Sequence, residues 1–409
     1  VASDTTPERG RPVLAVVGGK LKIVRKAREL GLGVVYVQHP DKYDRSHWPY
    51  VDQALLVDYT DSARLLPLLA ELHRVHPFQR ILSLTELGLV PTAEVDELLG
   101  LGGNPLKTVD MLMDKAKMRQ HLNALGISPV AAVVGETGRD VLDFAREHGF
   151  PVVVKPTSEA GSLAVSAVRG PSEIGPALER VRALGLRRFL VEEYLEGPEI
   201  SVETLSFDGR HVVVGTTDKV CVGFVEIGHS MPSAFPAEVL REAEDLVVAF
   251  LDAVGLRHGP AHTELKLTDR GPVVVESHNR VGGDRINELA QTAYGVDMDL
   301  YAIGAPLGVV EPLRERPEPL GGAAVRFLVP APGRVVSVAG VDAVRRDPAL
   351  VELEVSVEPG DEVPPLVWSE DRVGLVVARG TSAADAVEQC ERLASMVEIG
   401  TERDAGTAR

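Results

Sequence analysis

The chain has 409 residues, more than one compact core ordinarily holds, so two or three domains are expected. Its formal net charge of −17 argues against a nucleic-acid binder and against docking on an anionic membrane surface. The two cysteines, Cys221 and Cys390, make neither a disulfide framework nor a zinc spacing; with a polar start and no apolar run of membrane-spanning length, they predict a soluble cytoplasmic protein.

Residues 1–11 are expected to be disordered. The apolar run 13–17 reads as a buried strand, broken by Gly18-Gly19. A helix is expected over 20–30, stopped by Gly31, and a strand over 34–37. A second cycle follows, with strand 54–57, helix 62–75 and strand 81–84. Strand then helix, repeated, implies a doubly wound parallel sheet with helices on both faces. Gly18-Gly19 lacks the remainder of a dinucleotide fingerprint and reads as a tight turn rather than as a cofactor phosphate site. Asn104-Pro105 opens a helix through Met111, Lys115 and Met118 to Leu125, with Gly126 as its stop and a new strand from Ser128-Pro129.

From about 130 to 205 the order is helix 140–148, strand 151–155, a loop of small residues, strand 164–168, helix 173–184 and strand 189–193. This is a small α/β unit with hairpin character. Residues 202–276 read as antiparallel strands around one long helix, 237–254, followed by a helix at 287–294. The stretch 312–319 is rich in proline and charge and reads as a linker. Residues 323–399 then form a third, small α+β unit ending in helix 383–396, with a disordered tail at 400–409.

Three groups of residues carry chemistry. Lys115 lies on a helix and Lys155 ends a strand before the loop 157–162, whose amides and hydroxyls can lie over phosphates. Taken alone, each lysine reads as a solvated charge. The segment Val191 to Glu199 ends a strand and turns at Gly197-Pro198, leaving backbone for an adenine edge and a carboxylate for ribose. In isolation it reads as an acidic turn. The hairpin 263–276 turns at Asp269-Arg270-Gly271 and places Glu264 and Glu276 on one face. Two apposed carboxylates repel unless a cation lies between them, and magnesium is the ion such oxygens favour. Arg280 and the Gly282-Gly283 backbone follow at once, with charge and donors for a phosphoryl group or an oxyanion.

With Asp114-Lys115, Lys155-Pro156, Glu192 to Glu199, Gly259 to Glu264 and Glu276 to Asp284, the chain resembles the ATP-grasp superfamily, and within it the carboxylate–amine ligases of the L-amino acid ligase type. The C-terminal unit, with Val325-Arg326-Phe327 and Arg372-Val373-Gly374, resembles that subgroup's C-terminal domain. The resemblance implies an α/β plus α+β, three-domain ATP-grasp architecture. Its parts are an N-terminal doubly wound parallel sheet (12–103), an ATP-grasp domain (104–315) with a mobile lid at about 130–205, and a C-terminal ligase domain (320–400), with disordered ends at 1–11 and 401–409.

It also implies roles. Lys115, Lys155, Ser162 and Lys219 would contact the ATP phosphates. Glu192, Glu193 and Leu195 would form the adenine hinge, and Glu199 would hold ribose. Glu264 and Glu276 would bind two magnesium ions, with manganese as the alternative. Arg280, with Lys155 and Gly283, would stabilise an acyl phosphate and the tetrahedral intermediate that follows. The loop 224–232 would present Glu226 and His229 to an amino-acid substrate. His262 and Asp284 would border the same substrates, Asp284 either meeting a cationic group or capping the helix after it. His278 stands where the superfamily has asparagine, which leaves Asn279, phosphate or water to complete the metal shell.

The implied activity is ATP-dependent amide formation between small-molecule carboxylate and amine substrates by a homodimer. Loading of a carrier-protein thiol and a non-catalytic ATP sensor are the alternatives.

Overall fold

The computed structural model describes residues 10–158 and 161–402. The expected disorder at 1–11 and 400–409 falls largely outside this range, as do Glu159 and Ala160 of the small-residue loop.

The first unit holds β1 (Val13–Val17), α1 (Leu21–Glu29), β2 (Gly33–Gln38), β3 (Gln53–Leu56), α2 (Ser62–Val75), β4 (Arg80–Leu82) and α3 (Leu89–Leu99). Its strands are parallel in the order β3-β2-β1-β4. Alternation along β1 divides the core between two faces. Leu14 and Val16 pack with Ile23 and Val24 of α1, while Ala15 and Val17 pack with Leu65 and Leu69 of α2 and Val95 of α3. Helices therefore cover both faces, as the unbroken apolar runs require. The sequence reading had no counterpart to α3.

The single helix expected from 104 to 125 is two, α4 (Leu106–Met113) and α5 (Lys115–Leu125). Asp114 adopts φ −117°, ψ 105°, and its carboxylate accepts from the amides of Ala116 and Lys117. An aspartate is a strong N-cap because it satisfies amides the helix cannot. The break makes Lys115 the first residue of α5, with its amide donating to Thr157 O in the following unit.

That unit contains β5 (Ala132–Gly135), α6 (Gly138–His148), β6 (Val152–Lys155), β7 (Ser166–Val168), α7 (Ile174–Ala183) and β8 (Phe189–Glu193). Its antiparallel sheet, β5-β8-β6-β7, has a core of its own from Val141, Phe144, Val152, Val154, Val181 and Val191.

The remaining elements are β9 (Glu199–Phe207), β10 (Arg210–Val222), β11 (Val225–Met231), α8 (Ala237–Val254), β12 (Gly259–Thr268), β13 (Gly271–His278), α9 (Ile286–Tyr294), α10 (Met298–Gly304), β14 (Gly322–Phe327), β15 (Gly333–Ala339), α11 (Val341–Arg345), β16 (Leu350–Val355), β17 (Glu362–Val363), β18 (Gly374–Gly380), α12 (Ala383–Met396) and β19 (Glu398–Glu402). Eight strands form one antiparallel sheet in the order β13-β12-β9-β10-β11-β14-β18-β16. The C-terminal α+β unit has a core of its own, with Val335, Val344, Val376, Cys390 and Leu393, but its sheet is joined to the central one. β14, β18 and β16 continue the central sheet from the edge of β11, and only β17-β15-β19 stand apart. The expected linker is also tied down, since Arg210 donates to Leu313 O and Arg314 O. Among the described residues no helix is long and apolar enough to cross a membrane.

Candidate active site

The β12–β13 ladder pairs His262 with His278 and Glu264 with Glu276. Side chains two residues apart on a strand share a face, so the four form one block on one side of the hairpin. The block lines a cleft that Lys115, Lys155, Lys219, Arg280 and Asp284 also border. Gly282 lets the chain pass beneath it: a Cβ there would lie 2.9 Å from His262 Nδ1.

Each carboxylate is charge-balanced. Lys219 Nζ lies 2.7 Å from Glu264, 2.8 Å from Glu199 and 3.3 Å from Glu226. Lys115 Nζ lies 2.8 Å from Glu276. Burial alone would push the Lys219 ammonium down, but Glu264, Glu199 and Glu226 outweigh it and hold it well above its ordinary range. For Glu276 the desolvation is likewise overcome, by Lys115 and His278, and the carboxyl sits well below its ordinary range. Glu264 is lowered against both burial and the repulsion of Glu276, chiefly by Lys219 and then His262.

Two carboxylates stand behind the block. Glu203 Oε1 meets His262 Nδ1 at 2.8 Å, and His262 Nε2 meets Glu264 Oε1 at 3.1 Å. Burial depresses the His262 imidazolium, yet Glu203 and Glu264 raise it to about 9. His262, expected to border the substrates, has both ring nitrogens committed to carboxylates and positions Glu264. On the other strand, Glu86 Oε1 lies 2.8 Å from His278 Nδ1, and Arg280 Nε donates to Glu86 Oε2. Despite burial, His278 and Arg280 draw the Glu86 carboxyl down to about 2.

The other expected residues are placed as follows. Lys155 Nζ and Arg119 Nε clamp Glu192 at 2.6 and 2.8 Å, so the Glu192 side chain is buried among cations and not turned to a base. Glu193 spends its amide on Ala131 O and its carboxylate on Ala131 N and Arg270. The side chains of Glu192 and Glu193 are thus committed, while both residues line the cleft with Tyr194 and Leu195, which lie beyond the end of β8. Glu199, expected to hold ribose, is paired with Lys219 and with Lys266 at 3.2 Å. Ser162 Oγ donates to Phe224 O, joining the small-residue loop to the loop 224–232.

Asp284 neither caps α9 nor offers a free charge. Arg372 donates to both its oxygens, at 2.7 and 2.8 Å, and His229 Nε2 lies 3.3 Å away. Although burial acts to raise it, His229 and Arg372 hold the Asp284 carboxyl well below its ordinary range. Arg372 also stacks 3.7 Å above the Phe327 ring and donates to Glu226 O and Ser369 O. Glu226 and Gly283 line the cleft, and nothing would crowd a Cβ at Gly283. Asn279, an expected candidate for the metal shell, is engaged elsewhere: its Oδ1 accepts from Asn104 and its Nδ2 donates to Pro260 O.

Sequence reasoning missed Glu86, Arg119, Glu203 and Arg372, each of which meets its partner from another element. The signal, had it been used, was a glutamate after a strand end (Glu86) and a glutamate inside an apolar strand (Glu203). The donor set fits a divalent cation. Glu264 and Glu276 are direct cross-strand partners, and the imidazole of His278 lies beside Glu276.

Comparison with known proteins agrees with this geometry. Family models match an ATP-grasp N-terminal domain at 24–103, an ATP-grasp domain at 148–288 and an L-amino acid ligase C-terminal domain 2 at 326–402. The chain belongs to the ATP-grasp superfamily of carboxylate–amine ligases, close to the L-amino acid ligases. This ATP-grasp chain is 25% identical over 361 residues to an uncharacterised protein, y4rH, of Sinorhizobium fredii, covering 84% of this chain and 72% of that one. It is 27% identical over 238 residues to the alanine–anticapsin ligase of Bacillus subtilis, which takes in 52% of this chain and only 50% of that enzyme. In fold it is similar to an L-amino acid ligase from Bacillus licheniformis, with a TM-score of 0.82 at 22% identity over 97% of this chain and 100% of the other.

Proposed function

We propose that this ATP-grasp protein joins an amino-acid carboxylate to an amine. The terminal phosphoryl of ATP passes to the carboxylate, giving ADP and an acyl phosphate; the amine then attacks the acyl carbon and phosphate leaves. The observation that carries this reading is the Glu264–Glu276 rung with Lys115 and Lys219 against it, inside the cleft they line.

The chain's own groups suit that sequence. Lys115, Lys155 and Lys219 move from carboxylates to phosphates when nucleotide arrives, so the site keeps its charge balance. Glu264 and Glu276 would hold a divalent ion, whose charge would offset that of the transferring phosphoryl group. Arg280, fixed by Glu86 through Nε and by Val281 O through Nη1, turns Nη2 to the acyl phosphate and the tetrahedral oxyanion. The backbone at Tyr194–Leu195 takes the adenine edge. The sheet β5-β8-β6-β7 acts as the lid that excludes water, which would otherwise hydrolyse the acyl phosphate. The names of the relatives support L-amino acids as substrates.

The test is ADP release by the purified chain over all amino acids singly and in pairs, with product masses recorded. A pair that gives ADP and a mass equal to both amino acids less water supports the reading. ADP release only with a carrier-protein thiol, or binding of ATP with no substrate-dependent turnover, refutes it.

A further inference from the structure

The two histidines of the hairpin block are cross-strand partners, yet they are held differently. His262 is satisfied on both sides by hydrogen bonds, to Glu203 and Glu264. His278 is just as buried, at 3% exposure, and its Nδ1 meets Glu86 Oε1 at 2.8 Å, but its Nε2 has no carboxylate as near as His262 has. Its Nε2 lies 3.4 Å from Glu276 Oε1 and lines the nucleotide cleft. The ring is thus backed by a carboxylate at Nδ1, while Nε2 makes only a long contact along Glu276 toward the cavity.

We propose that His278 is a ligand of the divalent ion held by Glu276, binding it through Nε2 while Glu86 holds the ring from the Nδ1 side. The inference rests on the metal-dependent reading above and deepens it. Three observations carry it. Ligand atoms about 2.1 Å from a common octahedral ion lie roughly 3 Å apart, and the Nε2–Oε1 distance of 3.4 Å is within a small rotation of that. A metal-binding histidine ordinarily turns its other nitrogen to a carboxylate, which fixes its orientation, and Glu86 occupies that place. The neighbouring oxygen donor is unavailable, because Asn279 is bound to Asn104 and Pro260.

The acidic trio Glu199, Glu226 and Glu264 also gathers within reach of one ion, but the Lys219 ammonium already lies among its carboxylates. Lys115 balances Glu276 from Oε2, and Oε1 faces His278 Nε2 as a mixed oxygen–nitrogen pair.

The consequence is ion choice. Magnesium takes oxygen and resists nitrogen, while first-row transition ions accept imidazole readily. The site therefore favours a transition ion, with manganese as the probe, more strongly than an all-oxygen set would. Glu86 brings the N-terminal unit into metal selection, because it reaches the ring from outside the hairpin.

The experiment is pulsed electron paramagnetic resonance on the full chain with Mn²⁺ and ADP, together with Mn²⁺ and Mg²⁺ titrations of wild type, His278→Asn and Glu86→Gln. The expected result is nitrogen modulation from an imidazole ligand in the wild type and its loss in His278→Asn. The Mn²⁺-to-Mg²⁺ affinity ratio should fall about tenfold in His278→Asn, and Glu86→Gln should weaken Mn²⁺ binding roughly 10- to 100-fold with the nitrogen signal retained. Mn²⁺ bound to the wild type without nitrogen coupling overturns the proposal and leaves the metal site standing. Absence of Mn²⁺ binding to the wild type overturns both. The wild-type spectrum decides even if a variant fails to fold.

Discussion

Glu264 and Glu276 face each other across one rung of the β12–β13 ladder, and each is accommodated there by a lysine and a histidine. Substituting one member strands the others. Arg280→Ala removes the only guanidinium that Glu86 orients toward the cleft among the described residues, and it leaves Glu86 with His278 alone. Loss of one oriented donor to a developing oxyanion costs roughly 100- to 1,000-fold in kcat. Steady-state ADP release should show that loss with little change in ATP affinity, and an unchanged kcat would refute the role of Arg280.

His262 sets a pH dependence of stability. Its pKa in the folded chain is raised to about 9 by Glu203 and Glu264, outweighing burial, from an ordinary value of 6.5. A group raised in the folded state contributes stability that is complete below its unfolded value and is lost as pH rises through the folded one. In metal-free protein, the melting temperature should therefore fall between pH 6.5 and 9. The pairing is worth of order 3 kcal/mol at its upper limit. His262→Asn should start lower and show a flatter profile; parallel profiles for the two proteins would exclude His262 as the source.

At the scale of elements, legibility followed the range of the interactions. Strands 13–17 and 189–193 and helices 62–75, 237–254 and 383–396 coincide with β1, β8, α2, α8 and α12, because apolar periodicity and glycine stops are local signals. The hairpin was legible in outline, but the register set at Asp269-Arg270-Gly271 would place Glu264 opposite Val275; a bulge between Glu264 and Leu265 shifts the pairing by one and brings Glu276 opposite. What failed was decided at longer range. The run 104–125 has no local breaker, and the division at Asp114 follows from its cap and from the Lys115 amide bond to Thr157. Glu86, Arg119, Glu203 and Arg372 are ordinary charged residues until the fold brings partners from distant segments.

The Asp114 cap has a measurable consequence. Asp114→Ala removes the carboxylate oxygen that accepts from both the Ala116 and Lys117 amides at the start of α5, a loss of about 1 kcal/mol. It also frees Lys115 from its place against Glu276. Denaturant unfolding should show the stability change, and ATP titration should show weakened binding in excess of it. A variant with lowered stability and unaltered ATP affinity would make the cap structural only.

For the whole molecule, the decisive feature is that β14, β18 and β16 belong to the central sheet. The proline- and charge-rich stretch at 312–319 invites truncation, and a detachable C-terminal domain would survive it. The sheet order predicts otherwise. Ending the chain near residue 318 strips β14 from β11 along four residue pairs, from Gly228 with Arg326 to Met231 with Ala323. It uncovers Met231 and Val214, buried in the core shared with Ala323, Val325, Leu375 and Val377. An unpaired apolar edge of this kind templates aggregation. The same cut removes Arg372 and leaves the half-buried Asp284 with His229 alone. The truncated chain should therefore be insoluble or aggregated in size-exclusion chromatography, and the intact chain should not release a folded 320–402 fragment on limited proteolysis. A monodisperse truncated protein that still binds ATP would show that the C-terminal strands are an attachment to the sheet and not part of its core.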